Sequence, residues 1–168
     1  MQDLYDFYIS QNNIEILNML NAKYFIVPSE EGQPQAQQNP NAFGNAWFVD
    51  NIKWVESANE EILNLKEVDL QNTAVINSEF KSEVSQGFKA TGNAEIQLQS
   101  YQPNELVYET NASSPQFVVF SEMYYQPGWQ AYLDGEKVEH VRANYLLRAM
   151  NIPAGEHTVT FRFEPEVV

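Results

Sequence analysis

Asp134-Gly135 stands between two runs that are built to be strands, WQAYL (129–133) and EKVEHV (136–141). A two-residue Asp-Gly connection selects a type I′ turn. Both of its central residues need positive φ, and its twist folds the flanking runs back on each other. Pro153-Ala154-Gly155 marks a second turn before the last run. In that run His157, Val159, Phe161 and Phe163 share one face, and Glu156, Thr158, Thr160 and Arg162 share the other. Alternation of period two over eight residues marks an antiparallel strand with one buried face. The stretch from Phe117 to Pro165 therefore reads as four strands joined by tight turns.

From Ser82 onward no helical periodicity remains. Glu95–Gln99 alternates, Gln102-Pro103-Asn104 turns the chain, Leu106, Tyr108 and Thr110 alternate again, and 111–115 is a loop. Short strands at close spacing predict an antiparallel β-sandwich over 78–168, jelly-roll or immunoglobulin-like. The first 77 residues read differently. Asn12 with Glu15 forms a capping-box pattern, and Ile14, Leu17 and Leu20 follow at helical spacing over 13–20, with Asn21 as the stop. Lys23–Val27 is a strand closed by Pro28. The polar, Gln- and Pro-rich segment 29–42 is expected to be a mobile loop. Strands at 46–50 and 52–55, a helix capped by Ser57 with Glu60 at its third position, and a strand at 73–76 complete a small α+β lobe. The fold class expected is α+β: a lobe over 1–77, then the sandwich.

The formal net charge is −14 and the pI about 4.3. That disfavours nucleic acid and anionic lipid surfaces, which Lys and Arg must neutralise. Cysteine is absent, so disulfides and thiolate metal sites are excluded. No run reaches the ~20 apolar residues of a membrane helix. His140 and His157, the two histidines, have no ligand-like spacing, so neither a metal nor another cofactor is expected. His157 shares a face with Val159 and Phe161 and reads as a core or interface residue. There is no Gly-x-Ser-x-Gly elbow and no phosphate-binding glycine loop. Glu122 and Asp134 are the carboxylate pair to inspect for glycoside chemistry, which needs a separation of about 5–9.5 Å. Each also has a plain role: Asp134 in its turn, Glu122 as a partner of Arg142 or Arg148. No catalytic residue is assigned.

Five aromatic residues crowd one region: Tyr124, Tyr125, Trp129, Tyr132 and Tyr145. Glu122, Asn144 and Arg148 lie among them in sequence. Rings with polar tips can stack on a sugar while neighbouring polar groups bond its hydroxyls. The candidate ligand-binding set is therefore Glu122, Tyr125, Trp129, Tyr132, Asn144, Tyr145 and Arg148. The competing reading is packing. Trp129 shares parity with Ala131 and Leu133 and belongs inside, whereas Tyr132 has the opposite parity. Arg148 interrupts an apolar run, either as a cross-strand ion pair or as a contact for a phosphate.

Tyr124-Tyr125, Pro127-Gly128-Trp129, Ala131-Tyr132-Leu133-Asp134-Gly135, Arg142-Ala143-Asn144-Tyr145 and Pro153-Ala154-Gly155-Glu156-His157 occur in an order that resembles the extracytoplasmic C-terminal part of the YfhO-like bacterial membrane protein family. Leu20-Asn21-Ala22-Lys23-Tyr24 and Asn39-Pro40 through Trp47-Phe48-Val49 extend the resemblance. Asn45 stands where an arginine would be expected. The resemblance implies a large polytopic protein of the cell membrane, regarded as glycosyltransferase-like, with this stretch on the extracytoplasmic side. It implies a membrane helix soon after residue 165 and transferase acids in loops outside this stretch. The implied partners are the membrane-spanning part of the same protein and a glycan or lipid-linked sugar, which this domain would help to place. A structural or protein-interaction module without sugar binding is the alternative.

Overall fold

The computed structural model describes residues 1–89 and 93–165; within the expected 78–168 domain, 90–92 and 166–168 lie outside them. The chain divides into two compact units, Met1–Gly44 and Asn45–Val168.

In the first unit, helix α1 (Gln2–Phe7) and a 3-10 turn (Ile9–Gln11) lead to helix α2 (Ile14–Met19). The helix cap is one residue later than the sequence pattern predicts. Asn13 accepts the Ile16 amide, while Asn12 adopts a left-handed φ of 55° that ends the preceding turn. Asn tolerates that region because its short polar side chain compensates locally. Strand β1 (Tyr24–Pro28) pairs antiparallel with β2 (Pro34–Gln38). The expected loop 29–42 therefore contains a strand. All five β2 residues are exposed, so the pairing rests on the backbone ladder and not on apolar burial, and hydrophobic patterning has nothing to detect. The buried Asn39 fastens the segment after it: its amide nitrogen donates to Asn18 Oδ1 and to the Ala22 carbonyl, both at 2.8 Å.

The second unit is the sandwich. One sheet has the order β10-β9-β13-β7-β6, from β6 (Glu95–Gln102), β7 (Glu105–Ala112), β9 (Trp129–Leu133), β10 (Glu136–Val138) and β13 (Gly155–Phe163). The other has the order β11-β12-β8-β3, from β3 (Ala46–Val49), β8 (Gln116–Met123), β11 (Val141–Ala143) and β12 (Leu147–Ile152). All ladders in both sheets are antiparallel. Leu106, Tyr108, Ala131, Val159 and Phe161 from the first sheet meet Val118, Phe120, Met150 and Ile152 from the second. Phe120 and Phe161 stack edge to face at 4.9 Å, and Tyr108 packs edge-on against Phe120 at the same distance. Each such ring contributes roughly 1.5–3 kcal/mol by leaving water.

The reverse face of the four-stranded sheet is covered as well. Trp47, Val49, Phe117, Val119 and Ala149 lie there and are buried. Trp47 Nε1 donates to the Leu70 carbonyl at 3.1 Å, and Phe88 rests on Phe117. Phe117–Phe120 is thus apolar on both faces, the pattern of a strand covered on two sides. The cover is a βαβ unit: β4 (Asn51–Val55), helix α3 (Ala58–Asn64) and β5 (Thr73–Asn77), whose two strands pair in parallel. Ser57 caps α3 by accepting the Glu60 amide, and Glu60 reaches back to the Glu56 amide at 2.9 Å. Compact units divide at 44/45 and not at the expected 77/78: β3 is a sandwich strand, and the βαβ unit is bonded to β11 and to the turn that follows it.

Candidate functional site

The turn between β11 and β12 holds two of the sequence-predicted ligand residues. Asn144 and Tyr145 both have positive φ, 52° and 73°. The Asn144 amide donates to the Val75 carbonyl, and its side-chain oxygen accepts the Val75 amide, both at 2.8 Å. One residue thereby satisfies both polar groups of Val75 on β5, in the manner of a strand partner. Glu61 on α3, fully buried, accepts from Arg142 Nη2 and from the Tyr145 amide, each at 2.9 Å. Burial raises the Glu61 pKa and the Arg142 contact works against that rise. The Arg-Ala-Asn-Tyr segment is a joint between the βαβ unit and the sandwich.

Arg148 lies inside the sandwich and is buried. Its guanidinium sits 4.3 Å from the centre of the Trp129 ring and 4.9 Å from Phe161, and Nε donates to the Met123 carbonyl at 2.9 Å. Burial pushes its pKa down to about 10, opposed chiefly by the charge of Glu122. Glu122 is itself raised by burial and held by Arg148 and by a hydrogen bond with Tyr101. Arg148 Nη1, Tyr108 Oη and His140 Nε2 are buried without a hydrogen-bond partner among the described residues. Burial, with Arg148 adding to it, lowers the His140 pKa to about 4, so this histidine is neutral near pH 7.

Pro127-Gly128-Trp129 closes the same end of the sandwich. A Cβ on Gly128 would overlap Phe163 Cε2 and lie 2.8 Å from Tyr125 Cδ1, so any larger residue here must displace one of these two rings. Trp129 packs against the core, as its parity predicts, and its ring lies 5.4 Å from that of Phe163. Tyr125 is exposed.

Tyr132 projects from the outer face of the five-stranded sheet. Its hydroxyl donates to Glu164 at 2.6 Å, and Arg162 lies over its ring at 5.0 Å. Farther along this face is a trough of about 400 Å³, lined mainly by Glu95, Gln97 and Gln99 of β6, Glu109 and Asn111 of β7, and Glu156 and Thr158 of β13. Glu95, Asn111 and Glu156 stand side by side in register, as do Gln97, Glu109 and Thr158. The β6 register shifts between Leu98 and Ser100, and this bulge keeps Gln99 at the trough. Asp134 and His157 form one end. Asp134 accepts the Thr158 amide at 2.9 Å and meets His157 Nδ1 at 2.7 Å. The first bond chiefly lowers the Asp134 pKa; the contact with Asp134 chiefly raises that of His157. The Asp-Gly turn has φ of 52° and 87°, the two positive values of a type I′ turn.

The predicted ligand residues are therefore not gathered into one groove. Asn144 and Tyr145 belong to the joint, Arg148, Trp129 and Glu122 to the closed end of the sandwich, Tyr132 to the outer face, and Tyr125 to an exposed patch. Nor do Glu122 and Asp134 meet. Asp134 is level with Thr158, while Tyr101, the partner of Glu122, is level with Leu106 and Phe161, three residues farther along. Tyr101 is also on β6, three strand spacings from β9, so the offset is about 10 Å along the strands and about 14 Å across the sheet.

The family model for the bacterial membrane protein YfhO matches residues 56–168. The chain belongs to the YfhO family. No curated protein and no solved structure matches it. Among the described residues of this YfhO segment no helix is long and apolar enough to cross a membrane. The match includes every motif from Tyr124 to His157 that carries the resemblance. In this YfhO domain those motifs build turns and joints. The trough residues were missed by sequence reading, although a signal was present: the polar half of each alternating strand, Glu95/Gln97/Gln99 and Glu156/Thr158, marks one continuous outer face.

Proposed function

We propose that this domain stands on the extracytoplasmic side of the membrane, takes no catalytic part itself, and holds a glycan or the sugar portion of a lipid-linked glycan for the rest of its YfhO-family protein. The trough on the five-stranded sheet carries this reading. Its amides donate and accept, its carboxylates accept, and the side chains stand in rows on a rigid sheet, which suits a ligand made of neighbouring hydroxyls. Tyr132 offers an aromatic surface on the same face. The separation of Glu122 from Asp134 supports the non-catalytic part, because it exceeds the ~5–9.5 Å that glycoside hydrolysis uses. Saturation-transfer NMR with envelope glycan fragments tests the binding. Transfer to the glycan, lost in a Gln97→Ala/Asn111→Ala chain that still folds, is the expected result. No transfer at millimolar glycan contradicts it.

A purely architectural role is the second reading. The observation that favours it is the joint at Glu61, Arg142, Asn144 and Tyr145, where sequence-prominent residues are consumed by structural bonds.

A further inference from the structure

Four large apolar residues of the sandwich are exposed at one of its ends: Tyr101 by 62%, Met123 by 56%, Tyr125 by 55% and Phe163 by 38%. Contacts tie them together. Tyr125 and Phe163 both close on Gly128, and Phe163 lies against Trp129. Trp129 covers Arg148, which holds the Met123 carbonyl, and Tyr101 bonds to the neighbouring Glu122. The patch is formed where β6, β8 and β13 finish and β9 starts. A grouped apolar surface on a chain this acidic has a cost in water and marks a contact face.

Charge sorts the two ends of the domain. At the aromatic end arginines stand among the carboxylates: Glu122 is held by Tyr101 and Arg148, Glu105 by Arg162 at 2.9 Å and Glu164 by Tyr132, while Arg142 as well as Glu79, Glu83 and Glu139 act on Tyr124. At the other end Glu95, Glu109 and Glu156 gather around the trough, with Asp134 beside them. Glu156 and Phe163 lie seven residues apart on one strand, so about 23 Å separates the carboxylates at the far end of the trough from Phe163. An anionic headgroup layer repels the trough end most and the aromatic end least. Tyr and Trp carry amphipathic rings that settle at headgroup level, Phe belongs to the apolar face of interfacial segments, and the family matched is one of membrane proteins.

We propose that the aromatic end of the sandwich, centred on Met123, Tyr125 and Phe163, rests in the headgroup layer of the bilayer, with the trough facing away from it. The patch is a membrane-contact surface, weak by itself, that orients the domain. This does not depend on the trough binding a glycan.

The test is an amide-shift titration of the ¹⁵N-labelled chain with phosphatidylcholine bicelles at millimolar lipid. The expected shifts fall on Tyr101, Met123, Tyr125, Gly128, Trp129 and Phe163, with Asn111, Asp134 and Glu156 unmoved. Replacing part of the lipid by phosphatidylglycerol weakens the interaction. Met123→Ser/Tyr125→Ser, whose spectrum elsewhere verifies the fold, loses about tenfold or more in partitioning. No shifts at millimolar lipid, shifts centred on the trough, binding that needs the anionic lipid, or unchanged partitioning of the double variant would each overturn the proposal. So would concentration-dependent shifts of the same residues without lipid, which would assign the patch to a second copy of the chain.

Discussion

Glu61 and His140 show how single buried residues set the terms of this fold. Glu61 is a fully buried carboxylate that two donors require. Glu61→Ala removes the acceptor from Arg142 and from the Tyr145 amide at once, and is expected to cost about 3–5 kcal/mol, as breaking a buried ion pair does. Urea unfolding measures it, and a loss below about 1 kcal/mol would mean that water replaces the carboxylate freely. His140 gives a pH signature. Its folded-state pKa of about 4 lies below the ordinary 6.5, so below pH 6.5 the unfolded chain binds the proton that the folded chain refuses. Its contribution is full above pH 6.5 and is lost as pH falls toward 4. The stability difference between the parent chain and His140→Phe should shift against the parent by roughly 3 kcal/mol between pH 7 and 4. Raised Glu61 and Glu122 act in the opposite direction, but they are common to both chains and cancel in the comparison.

At the scale of elements, turns carry the most sequence information, and they are also where sequence reading succeeded best. Asp134-Gly135 and the alternation of β13 specify a hairpin and a strand that the structure contains. Trp129 lies against the core because parity assigns it there. Gly128 is the most exacting of these positions. Gly128→Ala must push Phe163 or Tyr125 aside and is expected to cost about 1–3 kcal/mol, with a changed near-ultraviolet dichroism from Trp129; an unaltered spectrum and midpoint would show that the rings move freely. Other elements were illegible for physical reasons. Strand β2 buries no apolar surface. The parallel pairing of β4 with β5 depends on a crossover that no local pattern encodes. The candidate ligand residues were legible as a group in sequence but not in space, because 129, 132, 144 and 148 lie on elements that face in different directions. Asn144 and Arg148 looked functional for the same reason that makes them structural: a polar residue kept in an apolar segment must satisfy something.

For the molecule as a whole, the two ends of the sandwich divide the work. If, as proposed, the aromatic end meets the headgroups, the β13 residues of the trough stand about 17–23 Å above them. A ligand held at that height would extend well beyond the sugar next to a lipid phosphate, which favours a glycan strand over a single lipid-linked residue as the proposed ligand. Net charge acts in the same direction, since repulsion between the trough carboxylates and an anionic surface keeps that end outward. The most direct test of the central claim is an amide-shift titration of the chain with envelope glycan oligosaccharides of increasing length. Shifts confined to 95–99, 109–111 and 156–158, strengthening with glycan length, are predicted. Silence at millimolar glycan, or shifts confined to Trp129, Tyr145 and Arg148, would contradict it.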